Sequence, residues 1–290
     1  MREPLQIPCS ELLSTTPARR RVMTASTKIN PVIFIHGLWI HSTAWRPWIE
    51  LFAQHGYSAS APGWPGDAPT VAETRSNPNA LDNVDIEMLV DHYTRLIGTP
   101  DVQPIVIGHS FGGLIAQELL ANNVAAAAVG IDPAQIKGVK ALPFAQVRSA
   151  FPVLGNPANK HRTVSLTAEQ FRYAFGNMLT EDESDLLHAK WSIPGPGKPL
   201  FQGAAANFSR HSPAKVDTQK ADRGPLLLTS GTADHTVPLK VTEEVFAMYQ
   251  KGSGHTDLHL FEDRGHSLTI DHGWSDVANV ILKWLTQQGF

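Results

Sequence analysis

One ten-residue run limits the architecture more than any other part of the chain: Pro104-Ile105-Val106-Ile107-Gly108-His109-Ser110-Phe111-Gly112-Gly113, which leads into the apolar stretch Leu114 to Ala121. It reads as a buried strand that passes into a helix through a G-x-S-x-G turn. Such a turn is sharp, and larger side chains at the flanking positions would collide with the adjoining strand and helix. Ser110 is then pushed out of the sheet at a helix N-terminus, where backbone N–H groups can receive developing negative charge. An ordinary N-cap serine is the competing reading. The spacing is neither G-x-G-x-x-G nor that of a P-loop, which argues against a phosphate cradle.

Around this run, short apolar strands alternate with amphipathic helices from Pro31 onward, the pattern of a mostly parallel sheet flanked by helices in the α/β class. The expected strands are Val32 to Ile35, Tyr57 to Ala61, Ile105 to Ile107, Ala125 to Ile131, Leu226 to Thr229 and Asp257 to Phe261. Trp45 to His55 reads as a helix with Pro47 in its first turn and Gly56 just past its end. Ile86, Leu89, Val90, Tyr93 and Ile97 mark the stripe of a second, and Val277, Val280, Ile281, Trp284 and Leu285 that of a C-terminal one.

The rhythm breaks between residues 133 and 224. There Phe171, Phe175 and Leu179 recur at i, i+4, i+8 within Ser165 to Leu179, predicting a helix, and Thr180 with Glu181, Asp182 and Glu183 predicts the start of another that runs to Trp191. The expected organisation is a flexible tail over 1–30, a core formed by 31–132 and 225–290, and a helical cap over 133–224. The tail carries Pro4, Pro8, Pro17 and the run Arg19-Arg20-Arg21 and lacks the apolar core of a secretory signal; Met23 is an alternative start.

Composition narrows the partners. Twenty-four Lys and Arg against 27 Asp and Glu give a formal charge of −3, which does not suggest a nucleic-acid binder. No apolar run reaches the roughly 20 residues of a membrane span, so no membrane partner is expected. The single cysteine, Cys9, excludes an internal disulfide framework and fits a reducing compartment; a cytoplasmic location is the expectation.

A serine nucleophile needs a base to take its proton and an acid to hold that base in the right tautomer. Leu226-Leu227-Leu228-Thr229-Ser230-Gly231-Thr232-Ala233-Asp234 places Asp234 on a loop after an apolar strand, and Phe261-Glu262-Asp263-Arg264-Gly265-His266 places His266 on the loop after the next. The order Ser, Asp, His differs from both common protease orders. Asp132, directly after the strand ending at Ile131, is the alternative acid; Asp263 reads as a turn former and His109 as a packed residue of the turn. Thirteen histidines do not make a metal site by spacing, because H-E-x-x-H is absent and His255 and His259 fall at the start of a strand.

On Ser110, Asp234, His266 and the run His36-Gly37-Leu38-Trp39 after the first strand, the chain resembles the serine-type α/β-hydrolases over about Pro31 to Phe290, in the branch of esterases, C–C hydrolases and cofactor-free peroxidases. The resemblance implies that the cap is inserted after the sixth strand of the family's sheet. It also implies that the backbone N–H groups of Leu38 and Phe111 form the oxyanion hole. HGGG is absent, which separates the chain from the hormone-sensitive-lipase type. A serine rather than an aspartate nucleophile points to acyl transfer on an ester or lactone without a cofactor, with C–C bond hydrolysis or cofactor-free perhydrolysis on the same residues as alternatives. The pocket is expected from Trp39, Phe171, Phe175 and Trp191, with Phe144, Phe151, Phe201 and Phe208 as further aromatic candidates. Several receptors of this fold keep the same three residues, so a small-ligand receptor is a second class of reading.

Overall fold

The computed structural model describes Met1 and residues 30–290; the expected tail and Cys9 lie outside the described residues. In chain order the first half comprises β1 (Val32–Ile35), α1 (Arg46–Gln54), β2 (Ala59–Ser60), α2 (Val71–Ser76), α3 (Ile86–Ile97), β3 (Ile105–His109), α4 (Phe111–Ala121) and β4 (Ala127–Ile131). An insert follows, with α5 (Phe144–Leu154), β5 (Thr163–Val164), α6 (Ala168–Ala174), α7 (Glu181–Trp191), β6 (Gly195–Pro196) and α8 (Lys198–Ala204). The chain then resumes with β7 (Leu226–Gly231), α9 (Leu239–Tyr249), β8 (Thr256–Phe261) and α10 (Trp274–Gln287).

Six strands form one wholly parallel sheet in the order β2-β1-β3-β4-β7-β8. Alternation along the strands divides their side chains between two faces. Val32, Phe34, Ile105, Ile107, Val129 and Ile131 pack with Trp48 and Phe52 of α1 and Val277, Ile281 and Leu285 of α10. Ile35, Val106, Ala128, Leu226 and Leu228 pack with Leu89 and Tyr93 of α3, Leu114 and Leu119 of α4, and Val241 and Val245 of α9. Both faces are therefore covered, and near-continuous apolar strands result.

The helix ends follow local chemistry. Asp85 caps α3 by accepting the Met88 N–H at 2.9 Å, and Gly98, at φ 62°, stops it. The expected strand over 57–61 shrinks to Ala59–Ser60 at the sheet edge, where it pairs only with β1. The long helix expected over 165–179 is replaced by the seven-residue α6. Thr167 and Gln170 close a capping box that fixes its start, and Phe175 already lies at its C-terminal end. The chain turns at Gly176, where a Cβ would press on Ser184, so Leu179 belongs to the next turn and not to the Phe171 helix.

Candidate active site

Three neighbouring strands end in strained backbone at the same edge of the sheet. Trp39 follows β1 at φ 66°, Ser110 follows β3 at φ 55° and Asp132 follows β4 at φ 42°. A bulky residue in the left-handed region costs on the order of 1–3 kcal/mol and persists only where its surroundings dictate it. At Ser110 the surroundings are glycines. A Cβ on Gly108 would run into the Gly112 carbonyl, one on Gly112 into the Ile35 carbonyl, and one on Gly113 would come 2.8 Å from Pro133 Cβ. The turn closes with Ser110 N–H donating to the Ile131 carbonyl, while the Ser110 carbonyl accepts from Gly113, Leu114 and Ala134.

The His36-Gly37-Leu38-Trp39 run lies against this serine. A Cβ on Gly37 would stand 2.7 Å from Ser110 Cβ and 3.3 Å from Ser110 Oγ, so the backbone of the run approaches the hydroxyl as only glycine allows. Phe111 is the first residue of α4, and its N–H has no acceptor within the helix.

His266 and Asp234 come together from two loops. Asp234 Oδ2 is 2.6 Å from His266 Nδ1, and Asp234 Oδ1 accepts the N–H groups of Thr236 at 2.6 Å and Val237 at 2.9 Å. A carboxylate so held fixes Nδ1 as the protonated nitrogen. Nε2 is then the lone pair, and it is buried without a hydrogen-bond partner. Asp132, the alternative acid, is turned elsewhere: its Oδ1 accepts the Gly231 N–H at 2.7 Å and its Oδ2 is 4.0 Å from His266 Nδ1. Burial, followed by the charge of Asp234, raises the Asp132 carboxyl well above the usual range. His109 donates from Nε2 to the His266 carbonyl at 2.9 Å. Burial and the neighbouring His266 hold its pKa well below the usual imidazole value, which fits a packed residue that positions the His266 loop. One atom each of His109, Asp132 and His266 lie within 4.8 Å of one another.

The insert meets this cluster through Phe175. Its ring stands edge-on to His266 at 4.9 Å, lies parallel to Phe171 at 4.9 Å and meets Trp39 edge-on at 6.3 Å. Of the aromatic residues expected to line a pocket, the structure brings together Trp39, Phe171 and Phe175, all buried. Trp191 is half-buried beneath the Lys190 ammonium and packs against the same core without a ring contact to this stack. Phe144, Phe151 and Phe208 are corrected outright: they are 79, 67 and 92 % exposed and face outward.

The sequence reading missed two groups. The His36 ring stacks on Trp64, its Nδ1 is 2.9 Å from the Gly37 carbonyl and its Nε2 is 2.9 Å from Asp67 Oδ2. Burial opposes ionisation of Asp67, but His36 outweighs it and holds the carboxyl below its usual range. No spacing rule links residues 36 and 67; a carboxylate in the turn Pro62-Gly63-Trp64-Pro65-Gly66-Asp67 was the only signal. The second group ties the insert to the Asp234 loop. Asn177 donates to the Ala233 carbonyl at 2.8 Å, Thr236 to the Ala174 carbonyl at 2.8 Å, and Ser149 Oγ lies 2.7 Å from Thr236 Oγ1.

A family model described as the alpha/beta hydrolase family matches residues 32–280. A search of curated protein sequences finds no match. Among solved structures, a Mycobacterium tuberculosis protein described as a non-heme bromoperoxidase aligns at TM-score 0.65 and 19% identity over 90% of this chain and 93% of its own. A methylesterase from Arabidopsis aligns at TM-score 0.61 and 14% identity over 89% and 99% of the two chains. A monoacylglycerol lipase from Paleococcus ferrophilus aligns at TM-score 0.58 and 22% identity over 89% and 96%. At these identities the likeness is one of fold.

Proposed function

Because the chain belongs to the alpha/beta hydrolase family, we propose that it is a serine hydrolase that cleaves carboxylic esters or lactones of small, largely apolar substrates through Ser110, His266 and Asp234. The observation that carries this reading is the state of His266. Its Nδ1 is held by Asp234 and its Nε2 is a buried lone pair without a partner, and its ring stands 4.6 Å from that of His109, the residue before Ser110 on the strained turn. His266 Nε2 takes the Ser110 proton as Oγ attacks the acyl carbon. The charge that develops on the carbonyl oxygen is received by the N–H groups of Leu38 and Phe111, with the N-terminus of α4 behind them. The tetrahedral intermediate collapses as His266 returns the proton to the leaving alcohol; water then repeats the sequence and frees the acid. No cofactor enters this sequence.

In this reading the insert is a cap. Ser110 is only 4 % exposed and His266 is fully buried. The gap beside the oxyanion loop, walled by His36, Trp39, Trp64 and residues 193–196, has no room for even a water molecule. Substrate entry therefore requires Phe175 or this segment to move.

A fluorophosphonate probe should label Ser110, and Ser110→Ala should reduce kcat on a short p-nitrophenyl ester on the order of 10⁶-fold. An adduct on a different serine overturns the assignment. Binding without turnover across esters, lactones and amides would place the chain among receptors of this fold.

A further inference from the structure

Helix α5 is oriented against the usual rule for a surface helix. Phe144, Val147 and Phe151 recur at i, i+3 and i+7, the spacing of one helical face, yet this face is 79, 42 and 67 % exposed. The face turned inward buries Ser149 and Val153, and Ser149 is spent on the hydrogen bond to Thr236. Leu142, 71 % exposed, extends the apolar face just ahead of the helix. Phe208, 92 % exposed, follows Asn207, whose side chain bonds Gly138 N–H and the Val139 carbonyl at the approach to α5. Scattered exposed apolar residues are ordinary, but a complete stripe with two protruding phenylalanines marks a contact surface.

The two sequence windows of the insert that carry the stripe and Phe208 hold basic residues and no acid. From Pro133 to Ala168 the sequence contains Lys137, Lys140, Arg148, Lys160 and Arg162 and no Asp or Glu. From Ile193 to Val216 it contains Lys198, Arg210 and Lys215, again without an acid. Lys140, Arg148, Lys160, Arg162, Arg210 and Lys215 are exposed. Arg172, which lines a groove with Arg148, pairs with Glu181 and Asp185, and Lys198 pairs with Asp85, whereas no ion pair is formed by Lys140, Arg148, Lys160 or Arg162 among the described residues. The nearest acid behind the α5 approach, Glu244, is consumed by the backbone N–H groups of Lys140 and Ala141, and Glu169 lies on the groove shared with Arg148 and Tyr173.

We infer that the α5 face, with Leu142, Phe144, Val147 and Phe151 at its centre and Lys140 and Arg148 beside them, docks the protein on an anionic lipid bilayer without spanning it. A convex helix with protruding rings suits a bilayer, which accepts apolar side chains at the headgroup boundary and rewards flanking Lys and Arg. A second copy seated on the same face would set its lysines and arginines against their own kind. The chain's first 29 residues carry Arg2, Arg19, Arg20, Arg21 and Lys28 against Glu3 and Glu11, the wrong sign to cover a basic surface. Among the described residues no helix is long and apolar enough to cross a membrane, so attachment is peripheral.

The test is flotation of the full chain with vesicles of phosphatidylcholine alone and with about one quarter phosphatidylserine. Wild type should partition onto the anionic vesicles more strongly than onto the neutral ones. The double variant Phe144→Ser, Phe151→Ser should weaken binding to the anionic vesicles on the order of tenfold or more. Lys140→Gln and Arg148→Gln should each reduce it about fivefold, with the loss suppressed at high salt. Melting temperatures of all variants should stay near wild type, since these side chains are exposed. The inference is overturned if wild type floats with neither composition, or if the substitutions leave binding unchanged. It is also overturned by a concentration-dependent dimer that the phenylalanine double variant abolishes in the absence of lipid. None of these readouts depends on hydrolysis.

Discussion

Helices α4 and α5 are each eleven residues long and each begin at a phenylalanine, yet the molecule treats them oppositely. Every residue of α4 except Glu118 is buried, whereas α5 buries only Ser149 and Val153 and turns its aromatic residues outward. The difference lies in what fixes each helix. The start of α4 is set by backbone contacts at Gly108, Gly112 and Gly113 that tolerate no side chain, so its place can be read from local sequence. The place of α5 is set by side chains outside it, one of them far away in the chain: Ser149 meets Thr236, 87 residues on, and Gln146 meets Gln135. Apolar spacing reveals that a helix has an apolar face. It does not reveal what that face meets.

The sharpest test of the backbone-fixed half is the choice between the two carboxylates beside His266. Asp234→Asn should reduce kcat on the order of 10⁴-fold by presenting the wrong hydrogen-bonding group to Nδ1. Asp132→Asn should cost far less, because Asp132 is 4.0 Å from that nitrogen and its Oδ1 is taken up by the Gly231 N–H. Steady-state rates of the two variants on one soluble ester, with circular dichroism as the fold check, decide it. A reversed order would make Asp132 the acid.

That choice also marks how far the sequence was legible. The turn at Ser110 and the meeting of Asp234 with His266 were readable as positions because each residue follows a strand, and a parallel sheet delivers all such loops to one end. The six strands and the helices packed on them were readable for the same reason, with errors of a few residues at the ends. The insert was only partly readable. Thr180 and its three following acids gave the start of α7 correctly, but Phe171, Phe175 and Leu179 shared a spacing without sharing a helix. Gly176 broke the pattern, and the contact that fixed Phe175 was with His266, ninety-odd residues away in sequence, a relation that no local period records.

Burying α4 so completely has a consequence for pH. The one carboxyl on it, Glu118, is half-buried, and desolvation pushes it up to about 8. Between the ordinary glutamate value and about 8 the folded state keeps a proton that the unfolded chain has lost, so stability falls as pH rises through this window. The decline should reach a few kcal/mol at most and level off above the folded value. Melting temperatures measured from mildly acid to mildly alkaline pH should show it, and Glu118→Gln should flatten the slope. An unchanged slope in that variant would mean that Glu118 is solvated and that α4 is less tightly enclosed than α5 makes it look by contrast.

The smallest expected effect probes the side-chain-fixed half. The C-terminus of α7 returns to the sheet beside Trp39, where Ile193 N–H donates to the Trp39 carbonyl and His41 N–H to the Trp191 carbonyl. Arg75 of α2 reaches across to this end, donating from Nε to the Ser192 carbonyl at 2.7 Å and from Nη2 to those of Ala189 at 3.0 Å and His188 at 3.2 Å. The Ala189 and Ser192 carbonyls have no partner in the helix, the His188 carbonyl also accepts the Ser192 N–H, and a guanidinium there opposes the negative end of the dipole. Water can replace the fork at this exposed site, so Arg75→Ala should cost only about 1 kcal/mol, a fall of roughly 2–4 °C in Tm. Arg75→Lys should recover part of the loss, since it restores the charge but not the fork. The discriminating readout is local: amide exchange over residues 188–193 should accelerate in Arg75→Ala while exchange in β3 and α4 stays as in wild type. If exchange over 188–193 did not change, the two backbone bonds to Trp39 and His41 would suffice to hold the insert, and the contrast between a backbone-fixed sheet edge and a side-chain-fixed insert would fail at the place where the two meet.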